Sequence, residues 1–188
     1  MAEGLFIDVR MFPFPFGIIY SSAIVNYIEM FQFSSDEYRG GSYEYCNCVL
    51  LTHHENTKKI VDFIAKEGSV TLINAIQIEK VDLTEYELIG FASGIYYSKF
   101  HESVLKVAME YLPQNKRVFL IYTYGFKRTG YGEDIAKIIC EKRGQIVASY
   151  GCRGFDTFGP FKIVGGIAKG HPTDEEISES VRVIKEFM

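Results

Sequence analysis

Thr52-His53-His54-Glu55-Asn56-Thr57 lies between a strand-forming run and a run at helical spacing. Hydroxyls, an amide and the free N–H groups of a helix N-terminus are what a phosphate dianion needs. The helix dipole shares that work, so no cation is required. The same residues also suit an ordinary N-cap region. A second group is Ser93-Gly94-Ile95-Tyr96-Tyr97-Ser98-Lys99. Ser93 and Gly94 let backbone groups approach a ligand closely. Tyr96 and Tyr97 suit stacking on a planar heterocycle, or covering the next helix. The third group is Thr123-Tyr124-Gly125, followed by Gly130-Tyr131-Gly132. Neither the GxGxxG fingerprint of dinucleotide sites nor the lysine-bearing phosphate loop of nucleotide hydrolases is present.

A fourth segment runs from Gly151 to Pro172 and holds Gly154-Phe155-Asp156-Thr157-Phe158-Gly159-Pro160. Connections beyond about a dozen residues are uncommon in compact domains and often functional. This one is dense in glycine and aromatics, which reads as an ordered lid or wall beside a ligand. The other chemistry-bearing residues point to less. His53 and His54 are adjacent, so they cannot share one helix face as metal ligands do. His101 reads as a proton donor over a ligand or, more plainly, as a surface residue at a helix start. Of Cys46, Cys48, Cys140 and Cys152, none forms a CxxC pair. They read as buried free thiols of a reducing cytosol, and no metal site is expected.

The elements that position these groups alternate. Tyr45–Thr52 is β-rich, Asn56–Lys66 is helical, and Val70–Asn74 and Glu87–Ser93 are strands. Phe100–Tyr111 is amphipathic, Arg117–Thr123 is an apolar strand, Asp134–Lys142 is a helix that Gly144 stops, and Gln145–Tyr150 is the last strand. Thr173 opens a capped helix with Glu176 as its capping-box partner and Ile177, Val181 and Ile184 as its apolar stripe. Such alternation implies a parallel sheet with helices on both faces. Ligands of such sheets bind beyond the carboxyl ends of the strands. All four groups above fall there.

The 188 residues suit one domain with a full core. The formal charge of −4 resides in residues 1–44, which hold two bases and six acids; the remainder is balanced. A balanced domain lacks the basic face that nucleic acid wants. It also lacks the acidity of a shuttle steered by charge to a basic partner. Met11–Ile28 has no charge and just reaches spanning length, but Pro13, Pro15 and Asn26 interrupt it. No secretory signal is evident. Residues 1–44 therefore read as an apolar extension that packs on the domain, docks on a membrane or partner, or precedes a start at Met30.

The stretch from Cys46 onward resembles the flavodoxin superfamily, and within it a flavodoxin-like family of small FMN proteins. Thr52–Lys58 is similar to that family's phosphate loop, Leu88–Tyr96 to its third strand and flavin loop, and Gly154–Pro160 with Gly165-Gly166-Ile167 and Gly170-His171-Pro172 to its C-terminal signature. The resemblance implies a three-layer sandwich with a parallel five-stranded sheet of order 2-1-3-4-5 over residues 45–188. It implies FMN as cofactor. Thr52, His54, Asn56 and Thr57 would hold the phosphate. Ser93, Gly94, Ile95 and Tyr96 would face the isoalloxazine ring, with Tyr97 as a second stacking residue and Thr123, Tyr124 and Gly125 on the other side. Glu55 departs from the pattern, where glycine is usual; a carboxylate pointing inward would repel phosphate. The implied function is cytoplasmic electron transfer to a redox protein or small-molecule acceptor, with a neutral, carboxylate-free surround at the ring and no catalytic residue. An FMN-dependent oxidoreductase of quinone or NAD(P)H type is the alternative, and a degenerate fold that serves as a binding module is another.

Overall fold

The computed structural model describes residues 47–51, 55–67 and 70–187. The expected extension over residues 1–44 lies outside them, as do Thr52, His53 and His54. Six strands form one sheet: β1 (Asn47–Leu51), β2 (Val70–Asn74), β3 (Leu88–Tyr96), β4 (Lys99–Phe100), β5 (Arg117–Tyr124) and β6 (Gln145–Arg153). The path across it is β2-β1-β3-β5-β6, and each neighbouring pair on that path is parallel. β4 lies off the path and pairs antiparallel with the end of β3, Tyr96 opposite Lys99. The sheet is therefore mixed, which corrects the expectation of five purely parallel strands. Two residues at the start of an amphipathic run give no periodicity by which to see β4.

Among the described residues four α-helices complete the layers: α1 (Glu55–Glu67), α2 (Glu102–Tyr111), α3 (Glu133–Glu141) and α4 (Asp174–Lys185). Alternation along the strands sorts the two cores. Ile89 and Phe91 of β3 and Val118 and Leu120 of β5 pack with α2 and α3. Leu88, Ala92, Phe119 and Ile121 face the other way, with Ile60 and Ile64 of α1 and Val181 and Ile184 of α4. A strand covered on both faces needs no polar positions, so Leu88–Gly94 is buried throughout. Burying side chains of this size stabilises by about 1.5–3 kcal/mol each. Gly90 is required where it stands, because a Cβ there would fall inside the Phe119 ring of the paired strand.

The ends of the elements aim the loops. α4 starts with a complete capping box: Thr173 Oγ1 accepts from Glu176 N at 3.3 Å, and the Glu176 carboxylate accepts from Thr173 N at 2.8 Å. α2 starts at His101, whose ring Nδ1 accepts from Ser103 N. That makes His101 a helix cap. β3, β5 and β6 each extend past the expected boundary, so Ser93–Tyr96 and Thr123–Tyr124 are strand residues rather than loop residues.

Candidate functional site

The path reverses direction between β1 and β3, since the chain builds outward to β2 before crossing back. A cleft of about 460 Å³ opens at the carboxyl end of the sheet beside this switch, with lining from α1, β3, β5 and the segment after β6. Asn56 contributes from the first turn of α1. Its Nδ2 donates to Phe155 O at 2.7 Å, which ties that turn to the segment after β6. Thr57 is fully buried, and its hydroxyl shares a 2.8 Å hydrogen bond with Thr123 Oγ1. The Thr57 side chain is thus a clamp between two of the expected loops. What Thr57 offers a ligand is its backbone N–H, one of the four that a helix start leaves without intrahelical partners. Glu55 opens α1, and its side chain lies outside the described residues, as do Thr52 and His54.

Gly94, Ile95, Tyr96 and Tyr97 line the cleft; Ser93 does not. Ser93 is buried, its Oγ donating to Gly94 O and accepting from His101 N at 2.9 Å. Its work is to hold the β3–β4 turn. Tyr97 and Ser98 form that turn with φ of 49° and 68°. Two residues with positive φ match the tight turn that suits the twist of a hairpin. Asparagine and glycine usually fill it, so tyrosine and serine carry strain here, of about 1–2 kcal/mol each. The result is a tyrosine held out at the lip of the cleft, 84% exposed, with its ring edge-on to Phe158 at 5.5 Å. The Tyr96 ring lies edge-on to His101 at 5.2 Å.

Thr123, Tyr124 and Gly125 line the cleft from β5. Tyr124 and Tyr131 lie 5.5 Å apart, and Tyr122 lies 6.3 Å from each. Burial pushes all three phenols above their ordinary pKa, so Tyr124 and Tyr131 in the wall, and Tyr122 behind them, stay uncharged at neutral pH. Tyr131 is held by donating to Phe126 O at 2.6 Å. The segment after β6 forms a wall, as its composition suggests. Gly154, Phe155, Asp156, Phe158 and Phe161 all contribute. Asp156 pairs with Ile167 through both backbone groups, and its Oδ1 accepts from Phe158 N at 2.7 Å.

Two lining residues carry charge, Asp156 and Arg128. The expected carboxylate-free surround is thereby corrected. No sequence signal separates Asp156 from its motif neighbours; only the fold brings its carboxylate against Gly125, where a Cβ would collide with it. Gly154 is under similar pressure, since a Cβ there would come within 2.9 Å of the Asn56 amide.

These residues fit FMN. The cleft volume is in the range of small-molecule sites, about 300–1,000 Å³. A helix start bears on the cleft at Asn56, and tyrosines flank it at Tyr96, Tyr97 and Tyr124. Among the described residues no cluster of three or more His, Cys, Asp or Glu could hold a metal ion. No helix among them is long and apolar enough to cross a membrane.

Comparison with known proteins gives three findings. Residues 49–141 match the model of a flavodoxin domain. An uncharacterised protein of Methanocaldococcus jannaschii is 32% identical over 138 residues, which cover 72% of this chain and 92% of that protein. Among solved structures, oxidised flavodoxin 2 from Bacillus cereus aligns with a TM-score of 0.52 at 13% identity, over 76% of this chain and 99% of its own. Rubredoxin oxygen:oxidoreductase from Desulfovibrio gigas aligns with a TM-score of 0.56 at 12% identity, over 74% of this chain and 34% of its own. At those identities the two structures establish the fold.

Proposed function

Because this chain belongs to the flavodoxin-like superfamily, we propose that its cleft binds FMN and that the protein acts in electron transfer. The observation that carries this reading is the composition of the cleft along its length. A helix start with free backbone N–H groups bears on it at Asn56, and tyrosines line it at β3 and β5. When bound, FMN supplies the redox chemistry, and the protein supplies position and electrostatics.

The chain's own residues divide that task. The backbone N–H groups of Asn56 and Thr57 would hold the phosphate, together with Thr52 and His54. Tyr96, Tyr97 and Tyr124 would flank the ring, with Ile95 an apolar contact beside them and Gly94 and Gly125 leaving room for it. The Thr57–Thr123 hydroxyl pair fixes the distance between the phosphate turn and β5. Asp156 is an acceptor and a negative charge in the wall, which disfavours extra negative charge on a nearby ring and so lowers its potential. The electron partner is a redox protein or a small-molecule acceptor. Cys140 and Cys152 are free thiols, which supports a reducing cytoplasmic setting.

A second reading is an FMN-dependent oxidoreductase acting on a quinone or NAD(P)H. Arg128 favours it, as a cation in the cleft wall that could hold an anionic substrate. The test is the absorbance spectrum of protein expressed with ample flavin. Twin flavin bands, with near-stoichiometric FMN released on denaturation, are expected. A colourless protein that also takes up no added FMN overturns the proposal. NAD(P)H bleaching those bands without another protein would favour the oxidoreductase.

A further inference from the structure

His171 stands near the end of the segment after β6, two residues before the cap of α4, and does not line the cleft. Its ring is partly buried, and Nδ1 lies 2.8 Å from Glu176 Oε2. An ionised carboxylate only accepts, so His171 Nδ1 carries a hydrogen and donates it. Glu176 is a fixed point for that bond. The same Oε2 accepts from Thr173 N, the Glu176 N–H donates to Thr173 Oγ1, and the Glu176 carbonyl accepts from the Tyr150 hydroxyl of β6 at 2.8 Å.

From this anchor the contacts run back to the cleft. The His171 carbonyl accepts from Phe155 N at 3.2 Å, and the Phe155 carbonyl accepts from Asn56 Nδ2 at 2.7 Å. Three hydrogen bonds therefore join the cap of α4 to the first turn of α1. The middle of the path has little slack. Gly154 N donates to Tyr124 O at 2.9 Å, a Cβ on Gly154 would press on the Asn56 amide, and a Cβ on Gly166 would strike the Phe155 ring. The Asn56 amide donates to protein, which leaves a phosphate to the backbone N–H groups of its turn. Those groups serve an anion only when the turn stands at the right distance, and a tolerance of about 0.5 Å has to be supplied by the residues behind it.

We propose that His171 is a positioning residue for the phosphate end of the cleft. Through Phe155 it ties the Asn56 turn to the α4 cap, and so it sets the preference for FMN over riboflavin. The inference deepens the flavin reading and rests on it. Losing the His171 donor lets the turn shift and weakens the hydrogen bonds to the anion. The ring end is spared, because Tyr96 and Tyr124 are strand residues of β3 and β5. A residue that merely stabilised the fold would affect both flavins alike.

The test titrates full-chain apoprotein with FMN and with riboflavin and follows flavin fluorescence. His171→Ala keeps the carbonyl at 171 and the capping box but removes the donor to Glu176. Asn56→Ala keeps the backbone N–H at 56 but removes the donor to Phe155. Each is expected to lower FMN affinity about tenfold and to leave riboflavin affinity within about twofold. The two together are expected to cost about the same tenfold and not a hundredfold, because one path is broken once. His171→Asn, whose Nδ2 stands where Nδ1 stood, is expected to restore most of the FMN affinity. Urea unfolding checks that each variant is folded; His171→Phe, which fills the space without the donor, replaces the alanine variant if that one is not. Equal losses for both flavins, losses that multiply in the double variant, or a variant without the donor that matches wild type overturns the proposal. Wild type that prefers FMN while the variants fail these arms loses only the role of His171. Wild type that binds neither flavin removes the flavin reading, and this inference with it.

Discussion

Thr57 shows how far residue type alone goes toward a role. A threonine two residues into a helix beside a phosphate-like loop reads as a phosphate ligand, and its place in the first turn agrees. Its side chain is spent elsewhere, on Thr123 across 66 positions of sequence, and only the fold reveals that pairing. Thr57→Val leaves the Thr123 hydroxyl buried without its partner, at an expected cost of about 1–3 kcal/mol in urea unfolding. Adding Thr123→Val removes the orphaned group, so the double variant should cost less than the two single ones summed. A cost equal to that sum would mean the hydroxyls do not act as a pair.

Cys152 gives a residue-scale prediction in pH. Burial first, and then the Glu176 charge, raise its thiol from an ordinary value of 9.0 to about 12. The folded protein thus keeps the thiol neutral where the unfolded chain ionises it. Its contribution to stability is whole below pH 9 and is lost as pH rises from 9 toward 12. Thermal unfolding followed from pH 8 to 11 should show a falling Tm. Cys152→Ala should flatten part of that fall, the remainder belonging to phenols such as Tyr150, whose pKa burial also raises.

At the scale of elements, the β3–β4 hairpin is the part that periodicity could not give. Strand–helix alternation was plain in the apolar spacing; α1 and α3 begin and end within a residue or two of where caps and spacing put them, and α4 begins at its expected cap. Glu87–Ser93 and Arg117–Thr123 read as strands, and strands they are, but both run further toward the cleft. Tyr96 and Tyr124 are therefore held by sheet hydrogen bonding. The turn itself breaks the usual residue rules, with Tyr97 and Ser98 where Asn-Gly would be expected. Ser98→Gly relieves about 1–2 kcal/mol of backbone strain and returns part of it as unfolded-chain entropy. A net gain of roughly 0.5–1 kcal/mol in chemical denaturation is expected. A loss would show that the serine side chain, and not the backbone, sets the turn.

The whole molecule explains why the site was only partly legible. Asn56, Gly94, Ile95, Tyr96, Tyr97, Thr123, Tyr124 and Gly125 come from three segments, and the sheet gathers them at one cleft. Local motifs flagged them because glycine, tyrosine and cap residues sit directly after apolar runs. Arg128 and Asp156 were invisible to that approach, since a charge in a loop reads as a solvated charge until the fold shows what it faces. Ser93 shows the complementary effect: the residues after it line the cleft, while its own buried hydroxyl is engaged by Gly94 O and His101 N.

The central claim is a cleft with a phosphate end and a ring end, and both ends can be read in one titration. Apoprotein is added to FMN and, separately, to riboflavin, and quenching of flavin fluorescence is followed. Both flavins should be quenched as the ring enters among the tyrosines. FMN should bind at least about tenfold more tightly, because only it carries the anion that the start of α1 receives. Equal affinity for the two flavins would contradict the phosphate end, and no quenching of either would contradict the site.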